Sequence, residues 1–187
     1  DSASGDDDDS AGPALFHGLV VITEILYDPT AGGEPAGEWV EVHNPQSYAV
    51  DLIGWTFGDL NNPTQHTIAA SVPIGPGGYI VLGRNADTNL NGNVLLDYAW
   101  GGLPGLGNAG DLVVLTAGDG TMIDTVDYAQ AGFADPSGAS IYLGSGSTNA
   151  TLNDVGAAWC VSATAWPNSA GDLGSPGVAN PPCPVPL

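Results

Sequence analysis

The sequence predicts an all-β fold, a β-sandwich, on three observations. Short runs of β-branched and aromatic residues alternate with turn residues along the body of the chain. Glycine and proline together make up about a quarter of the 187 residues, which is typical of short strands joined by many turns. No window places apolar residues at helical spacing over three turns, so a helical domain is not expected.

Eight runs are predicted as strands because each combines β-type residues with flanking turn signals. In chain order they are Leu19–Tyr27, Glu38–His43, Val50–Phe57, Gln65–Ile68, Gly78–Leu82, Leu112–Thr116, Met122–Tyr128 and Ser140–Tyr142. The turn at Gly118-Asp119-Gly120 predicts a hairpin between the sixth and seventh runs, since Asp-Gly tolerates the positive φ of tight turns.

Composition divides the chain into three parts. Residues 1–14 are an acidic, low-complexity arm with too little apolar surface to offset its ordering entropy alone. A neighbouring molecule, a bound cation or its own domain would have to order it. Residues 15–158 are the predicted sandwich, and residues 159–187 are a Pro/Gly-rich extension of the same domain that contains both cysteines.

The charge excludes two classes of function. The chain has 21 acidic residues against one basic residue, Arg84, for a formal net charge of −20. A nucleic-acid-binding protein needs Lys and Arg to neutralise phosphates, and a protein bound to an anionic membrane surface needs them too. Membrane insertion is not expected either, because no apolar run reaches the ~18 residues that span a bilayer.

Several stretches, in this order and spacing, resemble the lamin tail domain family, in its secreted bacterial form. They are VVITEILYDP and GEWVEVHNPQSYAVDLIGWTFGD within residues 20–59, IGPGGYIVLGRN, LGNAGDLVVLTAGDGTMIDTVDY, and the closing GDLGSPGVAN. The resemblance implies an immunoglobulin-like β-sandwich without known catalytic chemistry. The chain departs from nuclear lamins in lacking a coiled-coil rod and a basic surface, so a nuclear role is not expected.

The two cysteines fit the secreted form. Cys160 and Cys183 lie in an irregular, Pro-rich stretch, where a disulfide would fasten the C-terminal tail and contribute roughly 3 kcal/mol. The alternative is a zinc pair, which would need two further ligands from His17, His43 and His66. The disulfide is the favoured interpretation, and it predicts an oxidising, extracellular or cell-surface location.

Two motifs imitate catalytic or cofactor sites. Gly105–Gly110 reads GLGNAG and matches the dinucleotide pattern, but a predicted strand rather than a helix follows it. Ser145 and Ser147 lack the G-x-S-x-G elbow that activates a nucleophilic serine. The sequence therefore predicts a protein that is not an enzyme and has no organic cofactor.

A loop after the fifth predicted strand is a candidate calcium site. Asp87, Asn89 and Asn91 occupy the first, third and fifth positions of a D-x-[DN]-x-[DN]-G pattern, with Asn93 and Asp97 as further oxygen donors. The match is incomplete, because Tyr98 stands where a bidentate Glu belongs. The alternative is a polar hairpin loop rich in turn-forming residues.

A second candidate calcium site lies at the first predicted hairpin. Its donors would be Glu24, Asp28, Glu38, Glu41 and Asn44. Glu24 falls in an apolar run, and alternation places it on the face of Val20, Ile22 and Leu26. A buried carboxylate must be paired, hydrogen-bonded or metal-bound, so backbone hydrogen bonds are the alternative to calcium here.

Two functions follow as hypotheses. The first is a secreted structural module, a subunit of an extracellular or cell-surface filament or matrix. In it the N-terminal arm binds a neighbouring copy, with Ala14–Gly18 added to a sheet edge, and calcium screens the charge. The second is a module that binds carbohydrate or another extracellular polymer, with Trp100 as the expected exposed stacking residue. Asn149-Ala-Thr151 matches an N-glycosylation sequon and is taken as a chance match.

Overall fold

The computed structural model describes residues 17–58, 65–146 and 148–184. The arm 1–14 and Ser147 lie outside the described residues. Within them the chain forms twelve strands: β1 Val21–Leu26, β2 Trp39–His43, β3 Val50–Asp51, β4 Thr56–Gly58, β5 His66–Thr67, β6 Pro73–Ile74, β7 Tyr79–Gly83, β8 Tyr98–Ala99, β9 Leu112–Thr116, β10 Met122–Asp127, β11 Ile141–Leu143 and β12 Trp159–Val161. A 3-10 helix spans Gly156–Ala158. No helix in this part of the chain is long and apolar enough to cross a membrane.

The strands form two main sheets and one small one. The six-stranded sheet has the order β12-β11-β1-β2-β7-β8, and the four-stranded sheet has the order β10-β9-β4-β5. Within these sheets neighbours are antiparallel except for β7 and β8, which are parallel. Strands β3 and β6 pair separately as a two-stranded sheet.

One hydrophobic core joins the two main sheets. Ile25, Val40 and Leu82 from the six-stranded sheet belong to the same buried cluster as Phe57 and Leu115 from the four-stranded sheet. The β-branched and aromatic residues that predicted strands are therefore the residues that fill the space between the sheets. The predicted all-β fold is confirmed.

The predicted strand Val50–Phe57 is wrong as a single element. It divides into β3 in the small sheet and β4 in the four-stranded sheet. Gly54 lies between them with a φ of 80°, a backbone conformation that side-chain-bearing residues rarely adopt. The turn is closed by a hydrogen bond from Trp55 N to Leu52 O at 3.0 Å. Strands β6, β8 and β12 were not predicted, because two or three residues give no readable periodicity.

The outer face of the six-stranded sheet is also covered. Side chains alternate along β2, so Val40 belongs to the core between the sheets while Trp39 belongs to a second buried cluster on the opposite side. Trp166 packs edge-on against Trp39, with the ring centroids 6.1 Å apart. Trp166 lies in residues 162–183, named here the C-terminal segment, which crosses this face.

The cysteines confirm the predicted disulfide. Cys160 in β12 is bonded to Cys183, and their Cα atoms are 5.8 Å apart. The bond joins the far end of the C-terminal segment to the strand from which that segment starts. The segment is therefore closed into a loop against the outer face of the sheet.

Replacing both cysteines by serine should lower the free energy of unfolding by roughly 3 kcal/mol, because the unfolded chain loses a cross-link. The measurement is urea denaturation followed by tryptophan fluorescence. A reducing agent should lower the midpoint of the wild-type protein and leave that of the double variant unchanged. Equal midpoints for the oxidised wild type and the variant would show that the disulfide does not stabilise this fold.

Candidate functional site

Two glutamates stand opposite each other on the outer face of the six-stranded sheet. Glu24 in β1 is the register partner of Glu41 in β2, and both are fully buried. A β-bulge between Ile22 and Glu24 shifts the alternation of β1. Ile22 consequently packs in the core between the sheets, while Leu26 belongs to the outer cluster with Trp39. The prediction that Glu24 shares a face with Val20 and Ile22 is therefore wrong, and the bulge is the reason.

Glu24 accepts hydrogen bonds from three serines. Ser175 donates from its backbone N to Oε1 and from its Oγ to Oε2, both at 2.9 Å. Ser140 Oγ also donates to Oε1, and Ser162 Oγ lies 3.3 Å from it. Burial raises the pKa of Glu24, while these hydrogen bonds act in the opposite direction. Both carboxyl oxygens are thus occupied by the protein itself.

Glu41 binds the next part of the C-terminal segment. Its Oε2 accepts from Gly177 N at 2.8 Å, and its Oε1 accepts from Thr23 Oγ1 at 2.8 Å. Burial and, to a smaller extent, the charge of the neighbouring Glu24 raise the pKa of Glu41 to about 9, against the hydrogen bonds from Thr23 and Gly177. The two glutamates therefore bind Ser175 and Gly177 of the C-terminal segment to the sheet.

A third buried carboxylate lies on the C-terminal segment itself and accepts hydrogen bonds from the rest of the domain. Asp172, in the C-terminal segment, accepts from the backbone N of Thr30, Ala31 and Gly32 at 2.9, 3.0 and 3.2 Å, which places it over the loop after β1. Asn180 donates from Nδ2 to Thr23 O at 2.9 Å. Carboxylate and amide side chains thus connect the segment to the sheet along its length.

Two other residues of the second candidate calcium site, Glu38 and Asp28, have partners that differ from those of Glu24 and Glu41. Glu38 forms an ion pair with Arg84, Oε2 to Nη1 at 3.2 Å, and accepts from Leu106 N at 3.2 Å. Burial raises the pKa of Glu38 to about 7, and Leu106 N–H and Arg84 oppose that shift. Asp28 is half-buried and faces Asn108, whose Nδ2 lies 3.4 Å from Asp28 Oδ1.

Asn44, the remaining member of that set, donates to Tyr48 O and Ile74 O at 2.8 and 2.9 Å. At Glu24, Glu41 and Asn44 the structure shows a network of hydrogen bonds to the chain's own groups. Such a network is the predicted alternative to calcium binding at this site. Across the described ranges, no group of three or more His, Cys, Asp or Glu side chains is placed to hold a metal ion.

The first candidate calcium loop organises itself through its own amides. Asn91 is buried, and its side chain donates to Asn85 O at 2.7 Å and accepts from Val94 N at 3.1 Å. Asp87 is exposed, and its Oδ1 accepts from Asn89 N at 3.0 Å. The remaining two donors lie apart: Asn93 donates to Asn168 O at 2.6 Å, and Asp97 accepts from Val81 N at 2.8 Å. Calcium binding here stays a prediction.

Trp100 is buried, so the prediction of an exposed indole is wrong. It is 4% exposed, and its Nε1 donates to Pro104 O at 2.9 Å. Its ring packs against Phe57, with centroids 4.8 Å apart. Because Phe57 belongs to the four-stranded sheet and Trp100 follows β8 of the other sheet, the indole fills the space between the sheets. The other four tryptophans are buried too.

The glycine-rich motif is a structural loop, as its context indicated. Leu106 packs in the main core, and Gly107 O accepts from Tyr128 Oη at 3.1 Å. Strand β9 begins at Leu112, directly after the motif. At the sequon, Asn149 is exposed, and its Oδ1 accepts from Thr151 N at 3.1 Å, which closes a turn.

The family comparison decides what kind of domain this is. Residues 17–130, more than half of the chain, match the Lamin Tail Domain family. The chain belongs to the lamin tail domain family. The matched range contains β1 to β10, so β11, β12 and the C-terminal segment lie beyond it. This confirms the resemblance to the lamin tail domain family and, with the two packed sheets, the immunoglobulin-like β-sandwich. No curated protein matches the chain.

Sequence reasoning missed the partners of the buried glutamates. Ser140, Ser162 and Ser175 carry no local pattern that points to Glu24, because they are 116 to 151 residues away along the chain. Asp172 could have been found, since it lies in the closing stretch GDLGSPGVAN that resembles the lamin tail domain family, which suggests a structural contact.

The Glu41→Gln variant should reduce the loss of stability at alkaline pH. The unfolded chain releases the Glu41 proton near pH 4.3, whereas the folded protein retains it up to about pH 9. The folded state therefore binds more protons between these values, and the free energy of unfolding falls as pH rises. Thermal unfolding at pH 5, 7 and 9 should show a smaller decrease in the variant than in the wild type.

Asp135→Asn is the matched control, because it makes the same carboxyl-to-amide change at an exposed position. If this control flattens the pH dependence as much as Glu41→Gln does, the effect comes from net charge and not from burial of Glu41.

Proposed function

We propose that this lamin tail domain is a secreted, non-catalytic structural module, a subunit of an extracellular or cell-surface assembly such as a filament or matrix. The observation that carries the proposal is the use of its buried carboxylates. Glu24, Glu41 and Asp172 accept hydrogen bonds from the chain's own backbone and serines, as a scaffold requires. Acidic groups that serve catalysis instead have to face a substrate.

The disulfide supports secretion. Bonds such as Cys160–Cys183 persist in oxidising compartments and are rare where thiols are kept reduced. This one closes the C-terminal segment over the outer face of the sheet, where it protects the fold from local opening. A module that works outside the cell benefits from that protection.

The start of the described chain supports assembly through the N-terminal arm. Gly18 N donates to Ile123 O at 2.8 Å, so the chain enters the domain beside β10. Strand β10 is the outermost strand of the four-stranded sheet. Because Gly18 lies at this sheet edge, pairing of the residues before it with the edge of a neighbouring copy is the proposed mode of assembly.

The charge makes cations part of the proposal. A module with a net charge of −20 repels its own copies, so bringing copies together requires cations between them. Calcium is the proposed cation, with the loop around Asp87 as its proposed site. Burial of Trp100 removes the stacking residue that carbohydrate binding was expected to use.

Deleting residues 1–14 should abolish assembly. The measurement is sedimentation velocity of the full chain and the truncated chain in calcium-containing buffer, with the full chain expected to form larger species. Replacing the four aspartates at positions 6–9 by asparagine keeps the length of the arm and removes most of its charge. This variant separates the contribution of the arm's charge to assembly from the contribution of its length. Equal sedimentation of the full and truncated chains would overturn the role of the arm.

Assembly should also depend on calcium itself and not on ionic strength alone. Sedimentation in CaCl2 should show larger species than in NaCl of equal ionic strength, and EDTA should reverse the effect. Asp87→Asn should weaken the calcium effect if the loop binds the ion, with Asp135→Asn as the charge-matched control. If NaCl acts as well as CaCl2, calcium has no specific role.

A further inference from the structure

Along the first half of β1, side chains take the place of a neighbouring strand as hydrogen-bond partners of the backbone. Strand β11 pairs with β1 at Glu24 and Ile25, beyond the bulge. At Ile22, the backbone N donates to Asp124 Oδ2 at 2.6 Å, and the backbone O lies 3.3 Å from Asn153 Nδ2. Asp124 in β10 and Asn153 in the loop before β12 thus replace the backbone groups of a strand.

These two side chains are bonded to each other and fully buried. Asn153 Nδ2 donates to Asp124 Oδ2 at 2.7 Å, and neither residue has exposed surface. Among the described residues, the other oxygen of each group, Asp124 Oδ1 and Asn153 Oδ1, has no hydrogen-bond partner. A buried acceptor without a donor destabilises the folded state. Two such acceptors on two side chains that already contact each other require an explanation.

One proton satisfies both oxygens. A carboxylic acid and a primary amide can form a cyclic pair, in which the amide N–H donates to one carboxyl oxygen and the acid O–H donates to the amide oxygen. The first of these bonds is present, and the two unpartnered oxygens are the atoms that the second would join. We infer that Asp124 of the folded protein holds a proton and donates it to Asn153 Oδ1.

The surroundings favour the neutral acid. Burial raises the pKa of Asp124 to about 7, and the negative charge of Asp154 acts in the same direction. Hydrogen bonds from the backbone N–H of Ile22 and of Thr125 and from the Asn153 amide oppose the shift. Burial raises the pKa of Asp154, and the nearby His17 opposes that shift. Strand β9 places Leu115 opposite Asp124, and β12 contributes Trp159, whose Nε1 donates to Asn153 O at 2.7 Å. The one basic side chain of the chain, Arg84, is engaged with Glu38.

The proton therefore stabilises a contact between three parts of the domain. It connects the hairpin that carries Asp124, the loop that carries Asn153, and the entry of β1 at Ile22. Gly18 N donates to Ile123 O beside this group, so the point at which the chain enters the domain depends on it. Loss of the proton would leave a buried negative charge next to an unpaired amide oxygen, and the entry of β1 would loosen. This inference does not depend on whether the protein assembles.

The Asp124→Asn variant tests the inference, because an amide reproduces the neutral acid. It can accept from Ile22 N and donate to Asn153 Oδ1 at every pH. Its melting temperature should equal that of the wild type at pH 5.5 and exceed it by a few degrees at pH 8.5. Asp119→Asn is the control, since Asp119 is exposed at the turn of the same hairpin and its replacement removes the same charge.

Two results would overturn the inference. One is a variant that is less stable than the wild type by the same amount at both pH values, which would mean that the ionised carboxylate is needed. The other is a calcium-dependent increase in the melting temperature of the wild type that Asp124→Asn abolishes, which would place a cation between the two oxygens.

A direct titration covers the case in which the variant does not fold. The 13C chemical shift of the Asp124 carboxyl carbon, followed by NMR in the wild-type protein, reports its ionisation. We expect the carboxyl group to titrate at least two pH units above the ordinary value of about 3.9. Titration less than two pH units above the ordinary value would overturn the inference.

Discussion

Hydrogen bonds from the chain's own donors to buried carboxyl groups hold distant parts of this domain together. Glu24 and Glu41 bind the C-terminal segment, Asp172 binds the loop after β1, and Asp124 binds the entry of β1. Each contact joins residues that are more than 100 positions apart in sequence. A chain without lysine, and with one arginine, cannot neutralise these groups with ion pairs. Backbone N–H groups, hydroxyl groups and protons take that role instead.

The contacts explain how the lamin tail domain is completed. The matched family range ends at residue 130, before the two strands that extend the six-stranded sheet beyond β1. The C-terminal segment then covers the outer face, where Gly174 fits because a side chain there would come within 3.0 Å of Trp39 and 3.1 Å of Glu24 Oε1. An uncovered outer face would leave two glutamates and an indole facing water. The disulfide joins the far end of the C-terminal segment to β12, where the segment begins.

Local patterns predicted the fold, and long-range contacts limited the prediction of the site. Runs of β-branched and aromatic residues between turn signals identified the long strands, because these residues fill the buried clusters on the faces of the sheets. The assumption of simple alternation along the runs has a limit. It misplaced Glu24, since a bulge leaves no mark in the residue types of β1. Buried Trp100 illustrates the same limit: the YAWGGLPG stretch looks like a loop, and only the position of Phe57 in the other sheet decides that the indole turns inward. The loop at Asp87 was recognised as polar, but its pattern alone did not reveal that Asn91 points into the protein.

Native-state hydrogen exchange of the C-terminal segment tests the role of the buried glutamates most directly. Gly177 is exposed and lies outside any strand, yet its N–H donates to Glu41. Its amide, and that of Ser175, should exchange as slowly as the amide of Val40 in the centre of the sheet. Exchange at the rate of the neighbouring loop residue Ala179 would contradict the account, because it would show that the glutamates do not hold the segment.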